Sequence, residues 1–131
     1  MSVDRLSLVV FSGDFERVHY ALVMAAAAVA TNKPVTLFFT MGAAKALVGR
    51  DGWRALPGAD LDGTFKERGI GTFEELLEAC VALGVTFMVC ETGLKALGID
   101  EATLRDDVPI TQGGVVTFLA DASKDGAMLF V

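Results

Sequence analysis

The sequence predicts a three-layer α/β fold: a mostly parallel sheet of four to five strands with helices on both faces. Three observations point there. Apolar, β-rich runs alternate along the chain with stretches whose apolar residues recur at helical spacing. No two-residue hairpin signal joins any pair of runs, so successive strands are connected through helices and run parallel. The chain of 131 residues is 53% hydrophobic and 21% charged. That is more apolar than the roughly 45–50% of an ordinary soluble domain, as expected of a sheet buried on both faces or of a subunit that hides surface in an assembly. The length suits a single domain, residues 1–131.

Leu6 to Phe11 reads as the first strand, long enough to be central, and Ser12 to Phe15 as the turn after it. Glu16 or Arg17 then opens a helix to about Thr31, with Val18, Ala21, Leu22, Ala25, Ala26 and Val29 at helical spacing. Pro34 cannot continue that helix. Val35 to Phe39 is the second strand, and Thr40 to Gly42 a turn capping a short helix, Ala43 to Val48. Between Gly49 and Gly71 the pattern breaks into an insertion rich in glycine (49, 52, 58, 63, 69 and 71) that holds Trp53. A structureless stretch of about 20 residues is uncommon in a small domain. It reads equally as a lid over a site and as a surface insertion or subunit contact. Thr72 caps the next helix, with Glu74 and Glu75 favourable in its first turn, and Gly84 closes it after Leu83.

Val85 to Val89 is the third strand and ends on Cys90; a helix, Thr92 to Leu97, follows and stops at Gly98. Ile99 to Arg105 reads as a short helical turn, and a fifth strand fits near Val108 to Ile110. A helix from Gly113 to about Ser123 carries an apolar face of Val115, Val116, Phe118 and Leu119, and Ala127 to Val131 is the last strand.

The net charge is −6, and no cluster of Lys or Arg interleaves with aromatic residues, which argues against a nucleic-acid partner. The longest apolar runs, Tyr20 to Ala30 and Gly113 to Ala120, fall short of the roughly 20 residues of a spanning helix, so no integral membrane segment is expected. Met1 to Ser7 carries Asp4 and lacks the character of a signal peptide. The expected location is the cytoplasm, where thiols stay reduced. Two cysteines and one histidine are too few for a zinc site, and no glycine-rich phosphate loop follows the first strand. Neither a metal nor a cofactor is expected.

Parallel α/β sheets bind ligands beyond the carboxyl ends of their strands. Three segments should gather there: Ser12 and Gly13 after the first strand, Thr40 to Gly42 after the second, and Cys90, Glu91, Thr92 and Gly93 after the third. If the first and third strands are neighbours, Cys90 faces the Ser12 to Phe15 loop. The amides opening the helix after Cys90 favour a thiolate, and Glu91 opposes it. His19, in the first turn of the first helix, could bind an anion or take a proton from Cys90. Cys80 falls on a helical stripe with Phe73, Leu76, Leu77 and Leu83 and reads as core. A disulfide between the cysteines is disfavoured: a five-residue strand separates their levels by well over ~10 Å, and a bridge needs Cα atoms within about 7 Å.

These residues resemble the DsrE/DsrF-like family, sulfur-relay proteins that include the TusD-type carriers and are sometimes labelled peroxiredoxin-like. The resemblance is carried by residues 8–14 and the alanine-rich helix after them, by residues 35–40, and by Gly113, Gly114 and Val115. Most specific is the run from Glu74 through Cys80 to Val85, followed by Cys90, Gly93, Leu94 and Leu97 to Ile99. The resemblance implies a flavodoxin-like layered fold, a homo- or hetero-oligomer, often a trimer or hexamer, and a cysteine that accepts sulfane sulfur as a persulfide and passes it on. Cys90 matches that position. Its partners would be sulfur donor and acceptor proteins or small sulfane compounds.

The expected function is thus a sulfur carrier or sulfurtransferase working through Cys90, with Ser12, Gly13, His19, Glu91, Thr92 and Gly93 around the substrate. The alternative is a non-catalytic oligomeric binding or regulatory module with a small-anion or partner pocket at the same edge. A thiol peroxidase fits less well, because no second cysteine is placed to resolve a sulfenic acid.

Overall fold

Successive residues of a strand face opposite sides of a sheet, and here the two sides differ sharply. Leu6, Leu8, Val10, Val35, Leu37, Phe39, Phe87 and Val89 face one side and enter a large apolar core. Phe38, Met88 and Cys90 face the other, in a small cluster closed by Phe118 with Val9 alongside. These residues belong to one parallel sheet in the computed structural model, which describes residues 4–122 and 124–131. Its strands are β1 (Leu6–Val10), β2 (Val35–Phe39), β3 (Thr86–Cys90), β4 (Ile110–Gly113) and β5 (Ala127–Phe130). Their spatial order is β4-β3-β2-β1-β5.

That order explains the asymmetry. A right-handed crossover places its helix on one face when the chain steps one way along the sheet, and on the other face when it steps back. From β1 to β4 the chain steps in one direction. Helices α1 (Phe15–Ala30), α3 (Phe73–Ala82) and α4 (Glu91–Leu97) all contribute buried residues to the large core. The return from β4 to β5 reverses direction, and α5 (Val115–Asp121) lies on the opposite face. Helices cover both faces, but among the described residues one of those faces has only this seven-residue helix.

Local chemistry fixes the element ends. Thr72 caps α3 in a capping box: its hydroxyl accepts from the Glu75 amide at 3.2 Å, and the Glu75 carboxylate accepts from the Thr72 amide at 3.1 Å. The Thr72 amide also holds the Glu75 carboxyl below its usual range. Gly98 ends α4 in the left-handed conformation, φ 67°, which a glycine adopts without steric cost.

Three expectations are corrected. The fifth strand forms at Ile110–Gly113, beyond Pro109, and pairs Ile110 with Phe87 and Gly113 with Cys90. Pro109 has no amide to donate, so pairing begins after it and takes residues assigned to the next helix. That helix starts at Val115; Ser123, its expected end, lies outside the described residues, as do Met1 to Val3. Its apolar stripe is also turned outward, for only Phe118 is buried.

The insertion of residues 49–71 is not structureless. It contains a 3-10 turn, Gly52–Ala55, and helix α2 (Leu61–Glu67). Trp53 is buried, stacks on Phe73 with ring centroids 4.9 Å apart, and lies 5.7 Å from Phe15. The insertion is therefore stitched into the large core.

Arg105 ties this half of the molecule together. Its side chain is 1% exposed, and its guanidinium donates to both oxygens of Glu74 on α3, each at 2.8 Å. It also donates to both oxygens of Asp107, at 2.6 and 2.7 Å. Its backbone amide donates to Leu47 at 2.8 Å, beside an antiparallel bridge between Val48 and Leu104. Such forked, charge-assisted bonds are about twice as strong as neutral ones. The guanidinium holds the Asp107 carboxyl down to about 2, from an ordinary 3.8.

Replacing Arg105 with Met should destabilise the protein by about 2–3 kcal/mol, short of a fully buried pair because both carboxylates keep some water. Urea denaturation would measure it. The Asp107 carboxyl binds its proton less readily folded than unfolded, so its share of stability is complete above about pH 4 and fades as pH falls toward 2. The gap between wild type and Arg105→Met should narrow over that window.

Candidate functional site

The loops at the carboxyl edge of the sheet do gather, in series. A methyl group added at Gly13 would stand 3.1 Å from the Gly42 carbonyl oxygen, so the β1 and β2 loops touch through two glycines. A methyl at Gly93 would stand 2.6 Å from the Met41 amide nitrogen and 2.9 Å from the Thr40 hydroxyl. The first turn of α4, directly after β3, therefore closes on the β2 loop through a residue that must lack a side chain. Met41 itself takes a left-handed conformation, φ 48°, which costs a non-glycine residue roughly 1–2 kcal/mol.

The expectation that Cys90 faces the Ser12 to Phe15 loop depended on β1 and β3 being neighbours, and β2 lies between them. Ser12 and Gly13 reach the cysteine edge only through the β2 loop. The Ser12 hydroxyl accepts from the Asp14 amide at 3.1 Å, in the turn that opens α1.

Cys90 is the last residue of β3 and the residue preceding α4. It is 2% exposed and sits among Phe38, Met88 and Phe118, with Phe118 stacked on Phe38 at 4.6 Å between centroids. Glu91 and Thr92 are exposed beside it, and Gly93 is buried. Glu91, Lys95, Asp100, Glu101 and Gln112 border a cleft of about 390 Å³ on the flank of α4. Its charged lining is mainly acidic.

The structure does not bring His19 to this place. His19 is buried on α1 on the large-core face, with its ring 4.7 Å from Phe65, so the sheet stands between it and Cys90. Its Nε2 lies 2.8 Å from the Gly71 carbonyl oxygen. A carbonyl only accepts, so Nε2 carries the proton. His19 thus fastens the end of the insertion to α1. Cys80 is fully buried in the large core, its thiol 3.7 Å from the Leu22 carbonyl oxygen, and burial pushes that thiol up to about 11. Both cysteines are free. No three His, Cys, Asp or Glu side chains assemble as metal ligands among the described residues, and no described helix is long and apolar enough to cross a membrane.

Fold and site together define a class: a parallel five-stranded α/β chain with a cysteine where an inner strand meets a helix. The sequence matches the DsrE/DsrF-like family over residues 7–130, and the chain belongs to that family. It is 28% identical to the uncharacterized protein YrkE of Bacillus subtilis, across 97% of this chain and 96% of that one. Two solved structures share the fold. The protein of unknown function MTH1491 from Methanobacterium thermoautotrophicum has a TM-score of 0.63 at 17% identity, covering 97% of this chain and 98% of its own. The ychN protein of Escherichia coli has a TM-score of 0.61 at 18% identity, covering all of both chains. Membership suggests sulfur relay at the level of the family.

Sequence reasoning missed the residues that surround the thiol: Phe38, Met88 and Phe118. A signal for two of them was present. Phe38 and Met88 fall at the alternate positions of strands whose other residues fill the large core. Phe118 sat within an apolar stripe that gave no clue which member turns inward.

The close approach at Gly93 makes a direct prediction. Gly93→Ala should cost roughly 1–3 kcal/mol, as overpacking does. Gly63→Ala, inside α2 with nothing within 4 Å of the added methyl, should instead stabilise by about 0.5–1 kcal/mol. Paired urea denaturation curves of the two variants check both signs.

Proposed function

We propose that this protein is a sulfur-relay subunit in which Cys90 carries sulfane sulfur as a persulfide. The observation that carries this reading is the position of Cys90, at the end of β3 and the start of α4, in a chain of the DsrE/DsrF-like family. The Cys90 thiolate attacks the outer sulfur of a donor persulfide. A Cys90 S–S bond forms, the donor's own S–S bond breaks, and the donor leaves as a thiolate that takes up a proton. A partner thiolate then attacks the terminal sulfur and releases Cys90 as a thiolate. Sulfur moves as the sulfane atom throughout, so no external oxidant or reductant is needed.

Exposed Glu91 and Thr92 follow Cys90 directly at the carboxyl edge of the sheet, and Gly93 lets the start of α4 close on the β2 loop. Ser12 and Gly13 border the same edge one loop further away. His19 has no part in the transfer. The protein works in the cytoplasm as a homo-oligomer. Support for assembly comes from the exposed apolar side chains of Phe11, Met128, Leu129 and Phe130 on and beside the edge strand β5, a concentration that a lone subunit would rarely show.

Burial of Cys90 favours a second reading, an oligomeric binding or regulatory module in which that thiol is structural. Incubation with thiosulfate or polysulfide, followed by peptide mass spectrometry, separates the two. The relay reading expects one added sulfur on Cys90, removable by dithiothreitol and absent from Cys90→Ser. Sulfur on Cys80 alone, or on neither cysteine, would overturn it and leave the binding module.

A further inference from the structure

Among the four buried residues of the small cluster, Phe38, Met88 and Cys90 come from the sheet and Phe118 alone does not. Phe118 therefore closes from outside the sheet the cluster that holds the thiol, and it rides on a weak element. Helix α5 has seven residues, well below the roughly 12–15 at which an isolated helix becomes even marginal. Its first three residues, Val115, Val116 and Thr117, are β-branched and lower helix propensity. Gly114 precedes it with no side-chain cap, next to Gly113. Val115, Val116 and Leu119 are 53%, 82% and 52% exposed, so they do little to hold the helix down. Among the described residues, two side chains of the helix tie it down. One is the stack of Phe118 on Phe38, nearly parallel at 16°. The other is Asp121, whose Oδ2 accepts from the Thr36 hydroxyl at 3.1 Å and from Arg5 at 3.2 Å.

We propose that α5 is a hinged lid over Cys90, latched by Phe118 on Phe38 and by Asp121 on Thr36 and Arg5, with Gly114, between β4 and the helix, as its hinge. The closed lid excludes water and small thiols from the sulfur. The thiol reacts only from the open state, at a rate set by how often the lid opens. The lid gives the Cys90 site of the proposed relay a means of regulation and rests on that reading for its purpose. Its test reads access alone.

The experiment is alkylation of the native protein by iodoacetamide, followed at each cysteine by mass spectrometry, with wild type, Phe118→Ala and Asp121→Asn. In wild type Cys90 should react at least about tenfold more slowly than a cysteine in an unstructured peptide, and Cys80 not at all on that timescale. Phe118→Ala should speed Cys90 by about tenfold or more, and Asp121→Asn by about threefold or more, with Cys80 still protected. Cys80 reports global unfolding, so a variant in which both cysteines react is set aside and the remaining variant decides. Amide hydrogen exchange in wild type supplies a further check: Phe118 and Leu119 should exchange far faster than the amides of α3. The lid is overturned if wild-type Cys90 reacts like a free peptide, if folded variants leave its rate unchanged, or if α5 is as protected as α3. Alkylation that follows the lid without any persulfide leaves the lid standing and the relay refuted. A persulfide on a Cys90 indifferent to both latches does the reverse.

Discussion

The handedness of crossover connections governs this molecule. Given the order β4-β3-β2-β1-β5, right-handed crossovers send every helix between β1 and β4 to one face and the last one to the other. The first face acquires a core deep enough to bury Trp53, Phe15, Phe73 and Phe87 together. The second, among the described residues, has one short helix for five strands. The two cysteines illustrate the consequence. Cys80 lies in the deep core, where burial makes its ionisation unfavourable at neutral pH. Cys90 lies on the other side, in a cluster of four buried residues closed by Phe118.

Most of this framework was legible in the sequence because local signals carry it. Val35–Phe39 and the helix beginning at Thr72 follow directly from a β-rich run and a capping box. The alternation that divides Leu37 and Phe39 from Phe38 is a property of any strand. Strand order is different in kind, since no local signal states which strand lies beside which. Without that order, Ser12 faces Cys90 only on the condition that β1 and β3 are neighbours, and nothing local shows that the sheet stands between His19 and the thiol. The gathering of loops at the carboxyl edge needed only parallel strands, and it holds through Gly13, Gly42 and Gly93.

The insertion and the Arg105 clasp were illegible for a related reason. A buried arginine is costly unless several partners meet it at once. Glu74 lies 31 positions away in the chain, and Leu47, which accepts from the Arg105 amide, lies further still. No window of sequence holds them together. Trp53 likewise is placed by Phe15 and Phe73, from two different helices. The glycines of residues 49–71 suggested irregularity, and they do permit tight turns, with Gly49, Gly58 and Gly69 at positive φ. Between those turns the chain still anchors aromatic side chains in the core.

A thiol meant to carry sulfur faces opposed demands. It must meet a donor and an acceptor, and between those encounters it must be kept from water and from the small thiols of a reducing compartment, which would strip a persulfide. A cysteine in the deep core could satisfy only the second demand, and one on an open loop only the first. In the proposed relay Cys90 meets both, because the face it lies on is closed by a short helix held through Phe118 and Asp121. The outward turn of Val115, Val116 and Leu119 then has a physical sense. Inward-facing, they would bind α5 firmly to the sheet and bury the thiol as deeply as Cys80. Turned outward, they leave closure to Phe118 and Asp121, two side chains whose contacts can be broken without disturbing the large core on the other side of the sheet.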